Sequence, residues 1–262
     1  MQHLLCFDWC GKMAHFRKFY ANSSALSYSI PPRTTVLGLL AAILGLERDT
    51  YYNTIDQWLI GIETLSPVRK IFQKFNYLKI SSRENLDEFA GIADNRTQVS
   101  TELLLPTNLR TDLVRFRIYV GALDANDENF AQLQQQLANN NSVYGVSLGT
   151  ANLLAHIENY QNNINFESLN VDNKTSVTIK TAMRASQITL ADNWNDVTLE
   201  QDVFPLRLKL ADAQSSTKTR IASEIDTLIY PLHGKPVNVY CQHTNHLYNI
   251  LLNQQKFTIA LL

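Results

Sequence analysis

Basic side chains near the start of the chain can bind phosphate. Residues 1–46 carry a net charge of +3. Ammonium and guanidinium groups are the side chains that pair with phosphate oxygens. The segment therefore predicts a phosphate-binding surface, and the alternative is a set of solvated basic side chains. Its charged residues are Asp8, Lys12, Arg17, Lys18 and Arg33.

An apolar run follows these cations and predicts a buried helix from about Thr34 to Gly45. Pro31 and Pro32 restrict the chain before it, and Thr34 or Thr35 can cap its first turn. A first turn has unpaired N–H groups and a partial positive charge, which suits a phosphate oxygen. Because the helix is apolar on all sides, we expect it to pack against several elements at once.

A second basic segment, residues 66–112, interleaves cations with aromatic rings. This pattern can follow a single-stranded nucleic acid and stack on its bases. The alternative is a solvated hairpin whose rings face the core. Arg115 and Arg117 alternate with apolar residues on the next strand, so one face of that strand can front the same ligand. The cations of the segment are Lys70, Lys74, Lys79, Arg83, Arg96 and Arg110, and the rings are Phe72, Phe75, Tyr77 and Phe89.

One group of residues raises the question of catalysis. His15 lies near Lys12, Lys18 and Tyr20 in the sequence. Such a set can cleave RNA without a metal, with His or Tyr moving protons and Lys stabilising the charged phosphorane. Proximity within a loop is weak support for this chemistry, so we predict no catalytic residue.

Metal and cofactor motifs give no positive signal. The segment CQHTNH at 241–246 has residue types that suit zinc, but no fourth ligand is evident and Cys241 fits an alternating strand. Phosphate-loop, dinucleotide-binding and nucleophile-elbow motifs are absent, as is the base-stacking signature of a standard RRM sheet. We predict neither a metal nor a cofactor.

Composition bounds the kind of partner. The 262 residues are 45% apolar and 18% charged, which suits one large domain or two small ones. Residues 1–117 carry 14 Lys and Arg against 11 Asp and Glu, whereas residues 118–262 carry 9 against 13, so a polyanion is expected on the N-terminal part. Three cysteines and no recognisable secretion signal favour the cytoplasm. The apolar run is too short to span a membrane.

The predicted elements follow the order strand, helix, strand, strand, helix, strand. This is the order of a ferredoxin-like or RRM-like domain, here with an insertion at about 66–112 between its second and third strands. After about residue 170 only short alternating strands follow. We therefore predict an α+β protein with a ferredoxin-like domain at 1–165 and a β-rich part at 166–262. The core strands are predicted at 3–9, 59–65, 113–123 and within 143–160, and the second helix at 127–141 behind Asp127.

Three stretches resemble the CRISPR-associated Cas-five family. The family signature is a basic-aromatic loop, then Ser-Tyr-x-x-Pro-Pro and a helix containing Gly-Leu-Leu, and residues 16–45 read FRKFYANSSALSYSIPPRTTVLGLLAAILG. TQVSTELLLP and VRFRIYVG resemble the family's Thr-rich strand and third core strand, and VYGVSLGTANLLAHI resembles an element near its fourth. The resemblance covers about residues 1–160 and is nearest to the type I-B branch. The matching signature positions are Ser27, Tyr28, Pro31, Pro32, Gly38, Leu39, Leu40 and Gly45.

The resemblance implies a RAMP fold, in which a ferredoxin-like domain carries an inserted thumb. It implies a non-catalytic subunit of a type I Cascade surveillance complex that holds the 5′ handle of the CRISPR RNA (crRNA) in antiviral defence. It implies contacts with a backbone subunit of the Cas-seven family and with a large subunit of the Cas-eight family, which reads the PAM of target DNA. Because the type I-C branch cleaves precursor crRNA with a Tyr, Lys and His-like set, a metal-independent endoribonuclease is the alternative.

Residues and resemblance together define the expected RNA-binding set. Arg17, Lys18 and Arg33 lead as phosphate partners, and Tyr28 and Phe19 are candidates for stacking on bases. The full set is Lys12, Arg17, Lys18, Tyr28, Arg33, Thr34, Thr35, Arg96, Arg110, Arg115 and Arg117.

Overall fold

The protein is built mostly from β-strands, with two α-helices among the residues that the structure describes. The computed structural model describes residues 1–21, 24–78, 96–170, 176–191, 197–211, 220–241 and 246–262. The helices are α1 (Arg33–Leu44) and α2 (Glu128–Ala138). The strands are β1 (His3–Gly11), β2 (Phe16–Arg17), β3 (Ser27–Tyr28), β4 (Leu59–Thr64), β5 (Val68–Leu78), β6 (Arg96–Pro106), β7 (Val114–Ala122), β8 (Ala155–Gln161), β9 (Asn165–Ser168), β10 (Ser176–Ile179), β11 (Met183–Arg184), β12 (Ile188–Leu190), β13 (Leu199–Leu210), β14 (Arg220–Pro231), β15 (Val237–Cys241), β16 (Leu247–Leu252) and β17 (Gln255–Ala260).

A four-stranded antiparallel sheet in the order β4-β7-β1-β8 organises the N-terminal part. With α1 after β1 and α2 after β7, the elements follow the strand and helix order that the sequence predicted. Alternation places Phe7 and Trp9 of β1 in the core with the helices, and places Asp8 and Cys10 on the opposite face. Part of that opposite face packs against β16 and β17, where Tyr119 joins a second apolar cluster.

The two helices form for different local reasons. α1 is apolar on nearly every side and ends at Gly45, whose φ of 78° is the left-handed conformation that glycine tolerates best. The predicted capping by Thr34 or Thr35 is wrong, because no side chain caps α1 and Pro32 occupies the cap position. α2 is capped as predicted, since the Asp127 carboxylate accepts a hydrogen bond from the Phe130 N–H at 3.0 Å.

The insertion between β4 and β7 contains a long β-hairpin. β5 and β6 pair without a register shift from Val68 opposite Pro106 to Leu78 opposite Arg96. The loop predicted between Cys10 and Pro32 is instead folded along β6, with a short β2–β3 ladder and a bridge from Ala14 to Leu104. The predicted Lys79, Arg83 and Phe89 lie outside the described residues.

The strands after residue 165 complete the N-terminal core as well as forming sheets of their own. They make a six-stranded sheet, β12-β15-β10-β17-β16-β9, and a three-stranded sheet, β11-β14-β13. Phe204, Leu206, Leu228 and Tyr230 of β13 and β14 belong to the same buried cluster as α1 and β1. Across the described ranges, no helix has the length and apolar character needed to cross a membrane.

Candidate nucleic-acid interface

Arg33 is a structural residue, and its prediction as a phosphate partner is wrong. Its side chain starts at the first position of α1 but only 2% of the residue is exposed. The guanidinium donates to Asp56 Oδ1 at 2.7 Å and to the carbonyls of Leu206 and Trp58 at 2.9 and 3.0 Å. Burial lowers the pKa of Arg33, although the Asp56 hydrogen bond opposes this effect. A group with all these partners cannot reach an external phosphate.

Lys18 and Tyr28 are also committed to internal contacts. Lys18 Nζ lies 2.6 Å from Asp202 Oδ2, and the Tyr20 hydroxyl donates to Oδ1 of the same carboxylate at 2.7 Å. Burial alone would lower the pKa of Lys18, but the hydrogen bonds and charge interactions with Asp202 and Tyr20 together outweigh it and raise the pKa. Tyr28 is fully buried and stacks on Phe204 with ring centroids 4.2 Å apart. Its prediction as a base-stacking residue is therefore wrong.

Arg115 and Arg117 are paired across the open face of the four-stranded sheet. Arg115 Nη1 lies 2.7 Å from Glu158 Oε1. Arg117 binds both oxygens of Asp8, at 2.7 and 3.1 Å. Burial lowers the pKa of Arg117, but the buried Asp8 carboxylate more than compensates, so the net shift is upward. Because both guanidinium groups already have a carboxylate partner, this sheet face is a poor phosphate surface.

Thr34 and Thr35 remain at the surface of the first turn of α1. Both are half-buried and line a cleft of about 320 Å³ together with Ser147. Arg220 also borders this cleft, and its Nε donates to Asp49 Oδ1 at 2.7 Å. The first turn of α1 thus borders a cleft, but Arg33 is not among the residues that line it.

The exposed cations of the predicted set are Lys12, Arg17 and Arg110. Lys12 Nζ donates to the carbonyl of Leu109 at 3.3 Å, and Arg17 Nη2 donates to the carbonyl of Ala21 at 3.4 Å. Because these backbone contacts are long and neutral, both cations can bind an anion. The side chain of Arg96 lies outside the described part of the chain.

Arg17 borders a second cleft of about 410 Å³, which we call the thumb cleft. One wall is a single face of the β5–β6 hairpin, because Phe75 pairs with Val99 and Tyr77 pairs with Thr97. The Phe75 and Tyr77 rings lie 6.1 Å apart between centroids. Aromatic rings, an arginine and hydroxyl groups in one groove suit a single-stranded nucleic acid. The lining residues are His15, Arg17, Ala25, Phe75, Tyr77, Thr97, Val99, Thr101, Leu103, Thr150, Asn152 and Leu153.

His15 and Thr101 provide polar atoms at the buried side of the thumb cleft. His15 Nδ1 lies 2.7 Å from the Glu102 carbonyl oxygen, which can only accept, so Nδ1 carries the proton. Burial lowers the pKa of His15, which keeps the ring neutral and leaves Nε2 as an acceptor. Thr101 is buried, and its Oγ1 has no hydrogen-bond partner among the described residues. Both atoms suit a hydroxyl or a base edge as ligand.

The four residues weighed as a catalytic group make separate contacts in the structure. Lys18 and Tyr20 share Asp202, whereas Lys12 contacts carbonyls at 109 and 112. Of the four residues, His15 alone lines the thumb cleft.

Sequence reasoning missed the polar residues Thr97, Thr101, Thr150 and Asn152 of the thumb cleft. Thr150 and Asn152 lie in a loop that the sequence did not connect with the site. They follow Gly149, whose φ of 96° allows the chain to turn beside His15. A glycine directly ahead of these polar residues was the available signal for such a turn.

The comparisons with known proteins agree with this architecture. Residues 4–101 match the family model described as CRISPR-associated protein (Cas_Cas5). A crystal structure of a CRISPR protein from Archaeoglobus fulgidus superposes with a TM-score of 0.58 at 12% identity, over 98% of each chain. That likeness shows a shared fold.

Two larger assemblies contain chains with weaker similarity. One chain of a CRISPR RNA-guided surveillance complex aligns at 10% identity and a TM-score of 0.47, over 89% of this chain and 91% of that one. One chain of a type III-B Cmr-beta complex bound to cognate target RNA and AMPPnP aligns at 13% identity and 0.41, over 89% and 86%. No curated protein sequence matches the chain. Over residues 4–101, the chain is therefore similar to the CRISPR-associated Cas-five family.

Proposed function

We propose that the protein is a non-catalytic subunit of a type I CRISPR surveillance complex and that its thumb cleft binds the 5′ handle of crRNA. The observation that carries this proposal is the arrangement of Arg17, Phe75 and Tyr77 around one groove. A single-stranded handle can place a phosphate on Arg17 and stack bases on the two rings. The match of residues 4–101 to a CRISPR-associated family model supports the choice of a CRISPR RNA over other single strands.

The architecture supports a RAMP classification for the proposed subunit. The sheet order β4-β7-β1-β8 with α1 and α2 on one face is that of a ferredoxin-like domain, at residues 1–165. The hairpin within residues 66–112 serves as its thumb, and residues 166–262 form the β-rich C-terminal part.

The outer face of the hairpin suits a protein neighbour. Phe72 points away from the thumb cleft, since it alternates with Phe75 and Tyr77, and 60% of it is exposed. An exposed aromatic residue is a common anchor of protein interfaces. We assign this face to a backbone subunit of the Cas-seven family. The same complex would bring in the large subunit of the Cas-eight family and target DNA near the PAM.

The identity of the RNA is tested by co-expression with the neighbouring genes and a CRISPR array. We expect crRNA with an intact 5′ handle to co-purify and to be lost at high salt, because phosphate contacts depend on ionic strength. If sequencing shows that the co-purified RNA is a random population, handle recognition is contradicted. Protein that purifies free of RNA, bound only to other subunits, would favour a pure interaction role.

We expect Tyr77→Ala to weaken binding of handle RNA by about 1–3 kcal/mol, the typical contribution of one stacked base. Phe72→Ala is the matched control, since it removes a ring from the opposite face of β5. Both residues are exposed, at 46% and 60%, so both variants should fold. Fluorescence anisotropy with labelled handle RNA measures the affinities. Equal losses in the two variants would contradict the thumb cleft as the RNA site.

We expect Arg17→Ala to reduce the salt dependence of RNA binding. Losing one phosphate contact to a single strand should flatten the slope of log K against log salt by about 0.7. Arg48→Ala is the control, because its side chain is 81% exposed and lies outside the thumb cleft. An unchanged slope for Arg17→Ala would remove this residue from the phosphate partners.

A metal-independent endoribonuclease is the second candidate, favoured by the neutral His15, whose Nε2 can accept a proton at the buried side of the thumb cleft. Incubating repeat RNA with the protein in EDTA tests it. We expect no cleavage product. A product that appears with the wild type and disappears with His15→Ala would establish the enzyme instead.

A further inference from the structure

Three side chains with different metal-binding atoms meet on the open face of the four-stranded sheet. Cys10 of β1 lies directly across from His156 of β8, and Glu158 is two residues further along β8 on the same face. One ligand atom from each residue lies within 4.8 Å of the other two. None of the three lines the thumb cleft.

The spacing of these atoms is close to that of a tetrahedral metal site. Cys10 Sγ lies 3.4 Å from Glu158 Oε1, and His156 Nε2 lies 3.7 Å from Glu158 Oε2. With metal–ligand bonds of about 2.0–2.3 Å, tetrahedral ligands lie roughly 3.5 Å apart. Small side-chain rotations can therefore bring all three onto one ion.

The ligand types select the metal. A thiolate, an imidazole and a carboxylate suit zinc, whereas magnesium and calcium prefer oxygen ligands throughout. Cys10 is buried at one side of the group, and the His156 side chain is 53% exposed at the other, so an ion has a path from solvent. Three protein ligands leave the fourth position for water.

Arg115 forms a salt bridge with the Glu158 carboxylate and competes with a metal ion for it. Its Nη1 lies 2.7 Å from Glu158 Oε1, so a guanidinium already neutralises the group that the metal would use. A cation that binds here must compete with this ion pair and tolerate a positive charge nearby. Arg115 should therefore weaken metal affinity.

We propose that Cys10, His156 and Glu158 form a zinc site on the sheet, with Arg115 as the residue that limits its affinity. On binding, the Cys10 thiol releases its proton to solvent, and the thiolate, the imidazole and the carboxylate each bond to Zn²⁺. The site goes beyond the proposed RNA-binding function and does not depend on it.

The test uses the full chain without a polyhistidine tag, stripped of metal by a chelator. Zn²⁺ is titrated by calorimetry, and Co²⁺ by the thiolate charge-transfer absorption that only a cysteine ligand gives. We expect a single site, and we expect Cys10→Ser and His156→Ala each to weaken binding by about 100-fold or more, since even losing an outer partner typically costs about 10–100-fold. Cys241→Ser is the control, because this buried cysteine lies in the C-terminal sheet.

The exposed position of His156 keeps the test decisive, because His156→Ala should fold normally. Zinc affinity equal to wild type in this variant would overturn the proposal, as would a protein that binds neither metal. Arg115→Gln should tighten Zn²⁺ binding by removing the opposing charge. Weaker binding in Arg115→Gln would contradict the role given to this residue.

Discussion

Replacing Arg33 with alanine is expected to lower the free energy of unfolding by about 3–5 kcal/mol, the typical cost of breaking a buried ion pair. The change removes a donor to the carbonyls of Leu206 and Trp58 and one of the two arginines that bind the Asp56 carboxylate, the other being Arg207. A buried acceptor that has neither a protein donor nor water costs the full free energy of its desolvation. A domain is typically stable by only about 5–15 kcal/mol, so this loss is large. Chemical denaturation followed by circular dichroism measures it.

Two further variants separate this role from a role in binding RNA. Arg33→Lys keeps the charge but cannot reach several acceptors with one compact ammonium, so an intermediate loss of stability is expected. Arg48→Ala removes an exposed arginine and should change stability by no more than about 0.5 kcal/mol. If Arg33→Ala unfolds at the wild-type denaturant concentration but binds RNA weakly, Arg33 is a phosphate partner after all.

Replacing Gly149 with alanine is the second change with a large expected effect. The φ of 96° at this residue strains any other side chain, and an added Cβ would lie 1.8 Å from the His15 carbonyl oxygen. Because backbone atoms cannot turn aside as a flexible side chain can, the chain between 147 and 153 must shift. We expect a loss of about 3 kcal/mol or more in the free energy of unfolding, from strain and steric overlap together.

The same change should also weaken RNA binding, since Gly149 positions both His15 and the neighbouring Thr150 beside the thumb cleft. Gly145→Ala is a matched control in the same segment, because a Cβ there meets nothing within 4 Å. Thermal unfolding and anisotropy on both variants test the two effects. A Gly149→Ala protein as stable as Gly145→Ala would show that this turn can relax, and would contradict the assigned geometry.

The elements that sequence predicts well are those with a strong local pattern. Val114, Phe116 and Ile118 alternate with Arg115 and Arg117, and this period of two defines β7. Asp127 ahead of an amphipathic stretch defines the start of α2. Both signals lie within about ten residues, so a single sequence contains them in full.

The partners of the basic residues are determined at longer range and could not be read from the sequence. Asp8 and Arg117 are 109 residues apart in the sequence, and Lys18 and Asp202 are 184 residues apart, yet each pair forms a salt bridge. A local count of charges treats all of these cations as available. In the structure Arg17 is exposed, whereas Arg33 is buried and bonded to Asp56. The sequence alone did not distinguish these two arginines.

The aromatic residues of the insertion show the same limit. From the sequence, Phe72, Phe75 and Tyr77 could each either stack on a base or pack in the core. Their register opposite β6 separates them, because Phe75 and Tyr77 face the thumb cleft while Phe72 faces away. The facing of each ring depends on its pairing with a residue 20 to 30 positions further along the chain.

The shared core has a consequence for how the two parts of the chain relate. Phe204, Leu206, Leu228 and Tyr230 fill space between the N-terminal sheet and α1. Removing the segment that carries them would expose the apolar side of α1 to solvent and remove the hydrogen bond from Arg33 to the Leu206 carbonyl. We therefore expect the N-terminal sheet and the β13–β14 pair to unfold together in a single cooperative transition.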